Sequence, residues 1–331
     1  MAAVGSTPGT DSQPSMSWPL KRAVRDAIWH RASTSGSTIL PIAAQGYSGR
    51  GRHRLAVVPL VPILLYHSVS SAPPPAIRSF AVDEPSFSAH LDLVAERDLA
   101  SLTVSGFLDA VERGDHGLLE RAVVITFDDG FADFGAALTA LAARGLSATL
   151  FVATGLLRGA PQAVHAPGIS DHMLDWGRLR ELPASGVEIG AHSHSHPQLD
   201  TLSPRRARQE IALSRRLLRD AVDAEIETFA YPNGYSSPRV RRLVRAEGYR
   251  AACGVKNTFT SERDDRFALA RLMIRSSTGI EDVTRWLDRS GAPPPRRREK
   301  PATKAWRAYR RGRALVTRRA GTTPGWPVTP A

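Results

Sequence analysis
Val123-Val124-Ile125-Thr126-Phe127-Asp128-Asp129-Gly130 is an apolar run that ends in two adjacent carboxylates and a glycine. It reads as a buried strand that delivers acid to a surface. Two neighbouring aspartates repel each other unless a cation, a proton or a basic partner sits beside them. A second apolar run, Val187-Glu188-Ile189-Gly190-Ala191, ends in His192-Ser193-His194-Ser195-His196-Pro197 and places three imidazoles where another strand would emerge. One carboxylate plus two histidines, with positions left open for water and substrate, is the ligand set of a catalytic divalent metal rather than a structural one.

Working outward from these runs, the chain alternates. Helices are expected at Phe87–Glu96, Val104–Arg113, Ala132–Arg144, Trp176–Leu182, Ser203–Val222, Val240–Glu247 and Ile280–Asp288. Strands are expected at Ile63–Tyr66, Ala122–Phe127, Ala148–Ala153, Val187–Ala191, Thr228–Tyr231, Arg250–Val255 and Ala268–Ile274. Three times a helix ends at a glycine (Gly145, Gly186, Gly248) and a strand follows at once, the αβ connection of a repeated β-α unit. That pattern implies parallel strands covered by helices, as a barrel or an open doubly wound sheet, with ligands at the strands' C-terminal ends. His67, Asp128, Asp129, His192 and Asn233 all fall at such ends.

The net charge of +12 resembles a nucleic-acid signature until it is located. Between Arg296 and Arg319 stand eleven Lys or Arg against Glu299 alone, so this segment carries +10 and the remainder only +2. A nucleic-acid-binding core is therefore not indicated. Residues 1–60, rich in Ser, Gly, Thr and Ala, read as a mostly disordered N-terminal segment with an amphipathic helix at 18–31; 61–290 read as the catalytic domain, and 291–331 as a Pro-rich, basic tail. The tail, with Trp306 and Tyr309, is a candidate contact for an anionic membrane or polymer. No signal peptide or membrane-spanning run stands out, which points to a cytoplasmic or peripheral membrane location. Cys253, alone, excludes an intrachain disulfide and reads as a buried small hydrophobe.

Spacing limits which histidines can share an ion. On an extended strand residues four apart are separated by about 13 Å, too far for two short bonds to one metal. His192 with His194 suits a continuous strand, and His192 with His196 needs a turn after Ala191; both pairings remain open on spacing.

Thr126-Phe127-Asp128-Asp129-Gly130, Gly190-Ala191-His192-Ser193-His194-Ser195-His196-Pro197 and Phe229-Ala230-Tyr231-Pro232-Asn233-Gly234, in that order, resemble the three leading motifs of the polysaccharide deacetylase family, the NodB-homology domain. The resemblance implies a distorted (β/α) barrel and metal-dependent removal of acetyl from an N-acetylated carbohydrate. It implies Asp128 as general base, and Asp129, His192 and His196 as ligands of a divalent metal: zinc first, with cobalt, manganese or nickel as other candidates. It leaves His194 a spectator and makes the backbone N–H of Asn233 the oxyanion donor. Two family features are missing. An arginine in the third motif often steadies the base, but Phe229-Ala230-Tyr231 has none, and Arg271 is the candidate substitute. No histidine follows His196, so the general acid is sought in His67, whose Tyr66-His67 setting resembles the poly-N-acetylglucosamine deacetylase branch. Two rival readings stand beside this one: an amidohydrolase for a small molecule or lipid-linked sugar, and a catalytically silent sugar-binding protein.

Overall fold
Seven strands run parallel in the computed structural model, which describes residues 58–293 and 305–313. They are β1 (Ile63–Tyr66), β2 (Ala122–Phe127), β3 (Ala148–Val152), β4 (Val187–Ala191), β5 (Thr228–Ala230), β6 (Ala251–Cys253) and β7 (Leu272–Met273). Their hydrogen-bonded order is β6-β5-β4-β3-β2-β1-β7, and Ala100–Leu102 adds a side strand to β2. The sheet curls until its two edges meet: Leu269 N–H donates to Ala252 O, and Gly254 N–H donates to Leu269 O. The result is the expected (β/α) barrel, distorted because this short segment alone makes the seam.

The closure explains a difference from the sequence expectation. Residues 268–274 do not form one strand, since Leu269 serves the seam and only Leu272–Met273 pairs with β1. The expected helix at 132–144 shortens to Phe134–Ala142 because Ala132 donates its N–H to His172 O instead. Trp176–Glu181 is a 3-10 turn confined between the Asp175 cap and Pro183. The helices are α1 (Glu84–Glu96), α2 (Val104–Glu112), α3 (His116–Glu120), α4 (Phe134–Ala142), α5 (Pro204–Val222), α6 (Pro238–Ala246) and α7 (Ile280–Leu287); all but the short α3, which was not expected, fall close to the expected places. Ser203 and Ser237 cap α5 and α6 by accepting from Arg206 N and Val240 N, and each is followed by a proline at the first helical position.

Side chains alternate across each strand, so the apolar runs feed two cores. Val123, Ile125 and Phe127 face outward into the layer beneath the helices, while Ala122 and Val124 face inward with Ile63, Phe151, Ala230, Ala251 and Cys253. Val104, Phe107, Leu108 and Leu119 of α2 and α3 join that inner core and plug the barrel's lower end. Each fully buried aliphatic or aromatic side chain contributes about 1.5–3 kcal/mol, and the one polar residue within β2, Thr126, is buried with its hydroxyl donating to Leu64 O. Gly190 is required by close approach: a Cβ there would stand 2.4 Å from the Phe151 ring. Plugged below and open above, the barrel has one usable rim.

All described residues belong to one compact unit, Ala56–Ala331. Among them no helix is long and apolar enough to cross a membrane. The expected helix at 18–31 lies outside the described residues. Residues 305–313, within the basic tail, are helical.

Candidate active site
Alternation along β2 turns Val124, Thr126 and then Asp128 inward. Asp129 would point outward if the strand continued. Instead its φ of 75° bends the chain, and Gly130 follows at 94°. A left-handed conformation costs a non-glycine residue about 1–2 kcal/mol, a strain that tends to mark functional positions. Its effect is to bring two consecutive carboxylates to one rim.

A second turn completes the cluster. After β4, Ser193 and His196 adopt φ of 63° and 55°, so the chain folds back and His192 and His196 face each other with ring centroids 4.9 Å apart. Asp129 Oδ1 lies 3.4 Å from His192 Nε2 and 3.3 Å from His196 Nε2, and the three atoms fall within 4.8 Å of one another. Ligands about 2.1 Å from a tetrahedral ion stand about 3.4 Å apart. The same separations are long for hydrogen bonds, and Asp129 Oδ1 is buried with no hydrogen-bond partner. His192 Nδ1–H donates to Ala230 O at 2.8 Å, which fixes the tautomer and leaves the Nε2 lone pair aimed at Asp129. Donor type, spacing and an orphaned buried oxygen all fit a divalent metal.

His194 does not join this group. Its Nε2–H donates to Gln162 O at 3.1 Å, so Nδ1 accepts from Thr154 Oγ1 at 2.9 Å, and both ring nitrogens are committed. Of the two pairings left open by spacing, the turn brings His192 to His196. Glu210 of α5 secures it: the carboxylate accepts from His194 N, Ser195 N and Ser195 Oγ at 3.1, 2.7 and 2.6 Å. Sequence reasoning missed Glu210, because nothing local marks a helix residue 14 positions after His196 as the clamp of its loop.

Arg271 is the largest fully buried side chain of the protein's described part. It enters just before β7, low in the barrel, and reaches up the interior to grip Asp128 with two bonds of 2.7 Å, Nη1 to Oδ1 and Nη2 to Oδ2. Its Nε–H donates to Gly254 O, and its guanidinium lies over the Phe151 ring. Burial alone would raise the Asp128 pKa, but Arg271, together with His192 and His67, outweighs it and holds the carboxyl below its ordinary value. Asp129 is likewise held low against burial, by His196 and His192. Burial pushes His196 down to about 4, which keeps the imidazole uncharged at neutral pH. His192 moves up, since Asp128 and Asp129 overcome burial.

His67 follows β1 onto the rim, with its ring 5.1 Å from Phe80 and its Nδ1 buried without a hydrogen-bond partner. Burial lowers its pKa despite the raising influence of Asp129 and Asp128. Asn233 takes φ 57° in the turn after β5, and its Nδ2 is also buried and unpartnered. Gly234 beside it has φ 71°, and a Cβ there would lie 2.7 Å from Val255. The rim thus gathers Asp128, Asp129, His192, His196, His67 and Asn233, with Arg271 below.

Residues 116–252 match the family model for polysaccharide deacetylase. The chain carries a polysaccharide deacetylase domain. YxkH of Bacillus subtilis, itself described as a polysaccharide deacetylase, is 27% identical over 221 residues, 66% of this chain and 72% of that protein. Among solved structures, the Streptococcus pyogenes deacetylase PplD shares the fold at TM-score 0.62 and 22% identity, covering 71% of this chain and all of that one. The de-N-acetylase from Aggregatibacter actinomycetemcomitans does so at TM-score 0.59 and 18% identity, over 68% of this chain and 99% of that one. IcaB from Ammonifex degensii does so at 0.57 and 20%, over 69% and 97%. Polysaccharide deacetylases hydrolyse amide C–N bonds of N-acetylated sugars, which makes this deacetylase domain a hydrolase. The family match begins after His67 and ends before Arg271, so those two residues stand on geometry alone.

Proposed function
We propose that this domain removes acetyl groups from N-acetylglucosamine-type units of a polysaccharide, with Asp129, His192 and His196 holding a divalent metal and Asp128 acting as general base. The observation that carries the reading is the convergence of one carboxylate and two imidazoles beside a second carboxylate clamped by a buried arginine. A metal bound there would polarise the acetamide carbonyl and lower the pKa of the attacking water.

The chain's own residues supply the rest. Asp128 Oδ2 lies 3.7 Å from His192 Nε2 and so borders the ligand cluster, placing it to take the proton from the attacking water. Arg271 keeps that carboxylate ionised and fixed in orientation. Asn233, in its left-handed turn, offers the backbone N–H for the developing oxyanion. His67 protonates the departing amine, after which acetate and the free amine leave. PplD was solved in complex with acetate, a product of the same chemistry. Zinc suits the tetrahedral spacing, and the Tyr66-His67 setting favours the poly-N-acetylglucosamine branch.

The test is acetate release by the metal-loaded protein from N-acetylglucosamine oligomers, from a β-1,6-linked polymer and from lipid-linked N-acetylglucosamine. Turnover of an oligomer that chelation abolishes supports the reading. Turnover confined to the lipid-linked sugar shifts the substrate class, and none on any of them overturns it.

A further inference from the structure
The basic tail does not simply trail from the deacetylase domain. Its 305–313 helix is seated on two loops that leave the catalytic rim. Arg310 makes a buried, two-pronged ion pair with Asp200, Nη1–Oδ1 2.8 Å and Nη2–Oδ2 2.7 Å, and its guanidinium carbon lies over the Tyr235 ring, 3.5 Å from the centroid. Arg311 Nε–H donates to Asp200 O, and Arg307 stands 3.5 Å from the same carboxylate. Asp200 is four residues beyond His196, and Tyr235 two beyond Asn233. The helix is therefore tied to the loop of a candidate metal ligand and to the turn of the candidate oxyanion donor.

The face turned to solvent is aromatic. Trp306 and Tyr309 are 46% and 55% exposed and stack on each other, centroids 5.3 Å apart at 21°. Trp306 Nε1–H donates to Tyr235 Oη at 3.3 Å, which ties the pair to the rim. The other exposed large hydrophobics among the described residues, Val164 and Ile280, are single aliphatics. A contiguous aromatic patch tied to loops that leave a catalytic rim points to a ligand. Flat rings with polar edges match the flat C–H face of a pyranose, and ordered aromatics are the side chains that concentrate binding energy. A lipid surface fits less well, since Arg307, Arg310 and Arg311 are turned to Asp200 rather than spread outward.

We propose that Trp306 and Tyr309, anchored through Tyr235, form a subsite that stacks against a sugar ring neighbouring the unit being deacetylated. The assignment rests on the polysaccharide reading above, and it makes the tail helix a determinant of chain-length preference. Binding energy gathered away from the reacting centre favours longer chains.

The test compares the full chain with Trp306→Ala/Tyr309→Ala and with Trp306→Phe/Tyr309→Phe, in acetate release from N-acetylglucosamine dimer and hexamer and in calorimetric binding of the hexamer. The alanine pair should lose about tenfold in kcat/KM on the hexamer, mainly through KM, with the dimer changed less than about twofold, and the phenylalanine pair should recover most of it. Equal losses on both lengths, or none on either, overturn the subsite. Should the native protein release no acetate, the deacetylation reading fails, and hexamer binding decides alone: binding lost in the alanine pair sustains the subsite, while unchanged or absent binding overturns it. Loss of binding to phosphatidylglycerol vesicles with hexamer binding intact likewise overturns it, in favour of a membrane contact.

Discussion
Asp128 and Asp129 are adjacent, yet their neighbours give them different work. Asp129 faces two imidazole nitrogens and no donor, the setting of a ligand; Asp128 is gripped by Arg271, the setting of a base held ionised. Asp129→Ala, His192→Ala and His196→Ala are each expected to lose bound metal by elemental analysis, whereas Asp128→Asn keeps it and loses turnover. Full metal in His196→Ala with loss in His194→Ala would reverse the ligand choice. Arg271 lowers the Asp128 pKa, so Arg271→Met should raise it. The acid limb of kcat/KM then moves to higher pH, because the base is protonated over a wider range; an unmoved limb would show that Asp128 is not the titrating base. His67→Gln should keep fold and metal, lose turnover severely on an N-acetyl sugar, and lose much less on an activated ester whose leaving group needs no proton. Equal losses on the two substrates would assign His67 to binding instead.

At the scale of elements, the rim depends on turns that follow strands rather than on the strands themselves. β2 and β4 were legible to the residue, because each is a short, largely apolar run bounded by turn residues, and their alternation with helices implied parallel pairing. The motif residues at their ends were legible for the same reason, and the family resemblance selected His196 where spacing left the choice open. Arg271, 143 residues from Asp128, was legible as the partner of the base only because the third motif lacks an arginine, and barrel closure is what makes the two neighbours. Two features were not legible. Ala100–Leu102 is too short and too polar to stand out as a strand. Glu210, half-buried in the structure, lies in an Arg-rich helix, where a carboxylate read from sequence alone ordinarily passes as solvated. Its three bonds to the 193–195 turn give it a positioning role, and removal of such outer partners typically costs about 10–100-fold in metal affinity. Glu210→Ala should weaken metal binding by about that factor in a competition titration, with the far-UV circular dichroism unchanged. Undiminished affinity would make the clamp dispensable.

Over the whole molecule, the charge asymmetry that singled out the tail has a structural use at its described helix. Asp200 is 1% exposed, and the partner that satisfies its carboxylate comes from 110 residues later. Removing one member of a buried ion pair is far costlier than the pair is stabilising, because the remaining charge is left desolvated, a loss of about 3–5 kcal/mol. Truncation after Pro295 should therefore destabilise the catalytic domain as well as remove its tail. For a domain of this size the expected fall in Tm is on the order of 5–15 °C. A simple loss of helix packing would predict a fall too, so the decisive comparison is a reversal of sign. In the full chain Asp200→Asn breaks the pair, leaves Arg310 buried without its counter-ion and should lower Tm. In the truncated chain the same change removes an unpaired buried charge and should raise it. A Tm that Asp200→Asn lowers by the same amount in both chains would mean that Arg310 and Asp200 are not energetically coupled, and the tail would then be an appendage resting on the domain rather than part of it.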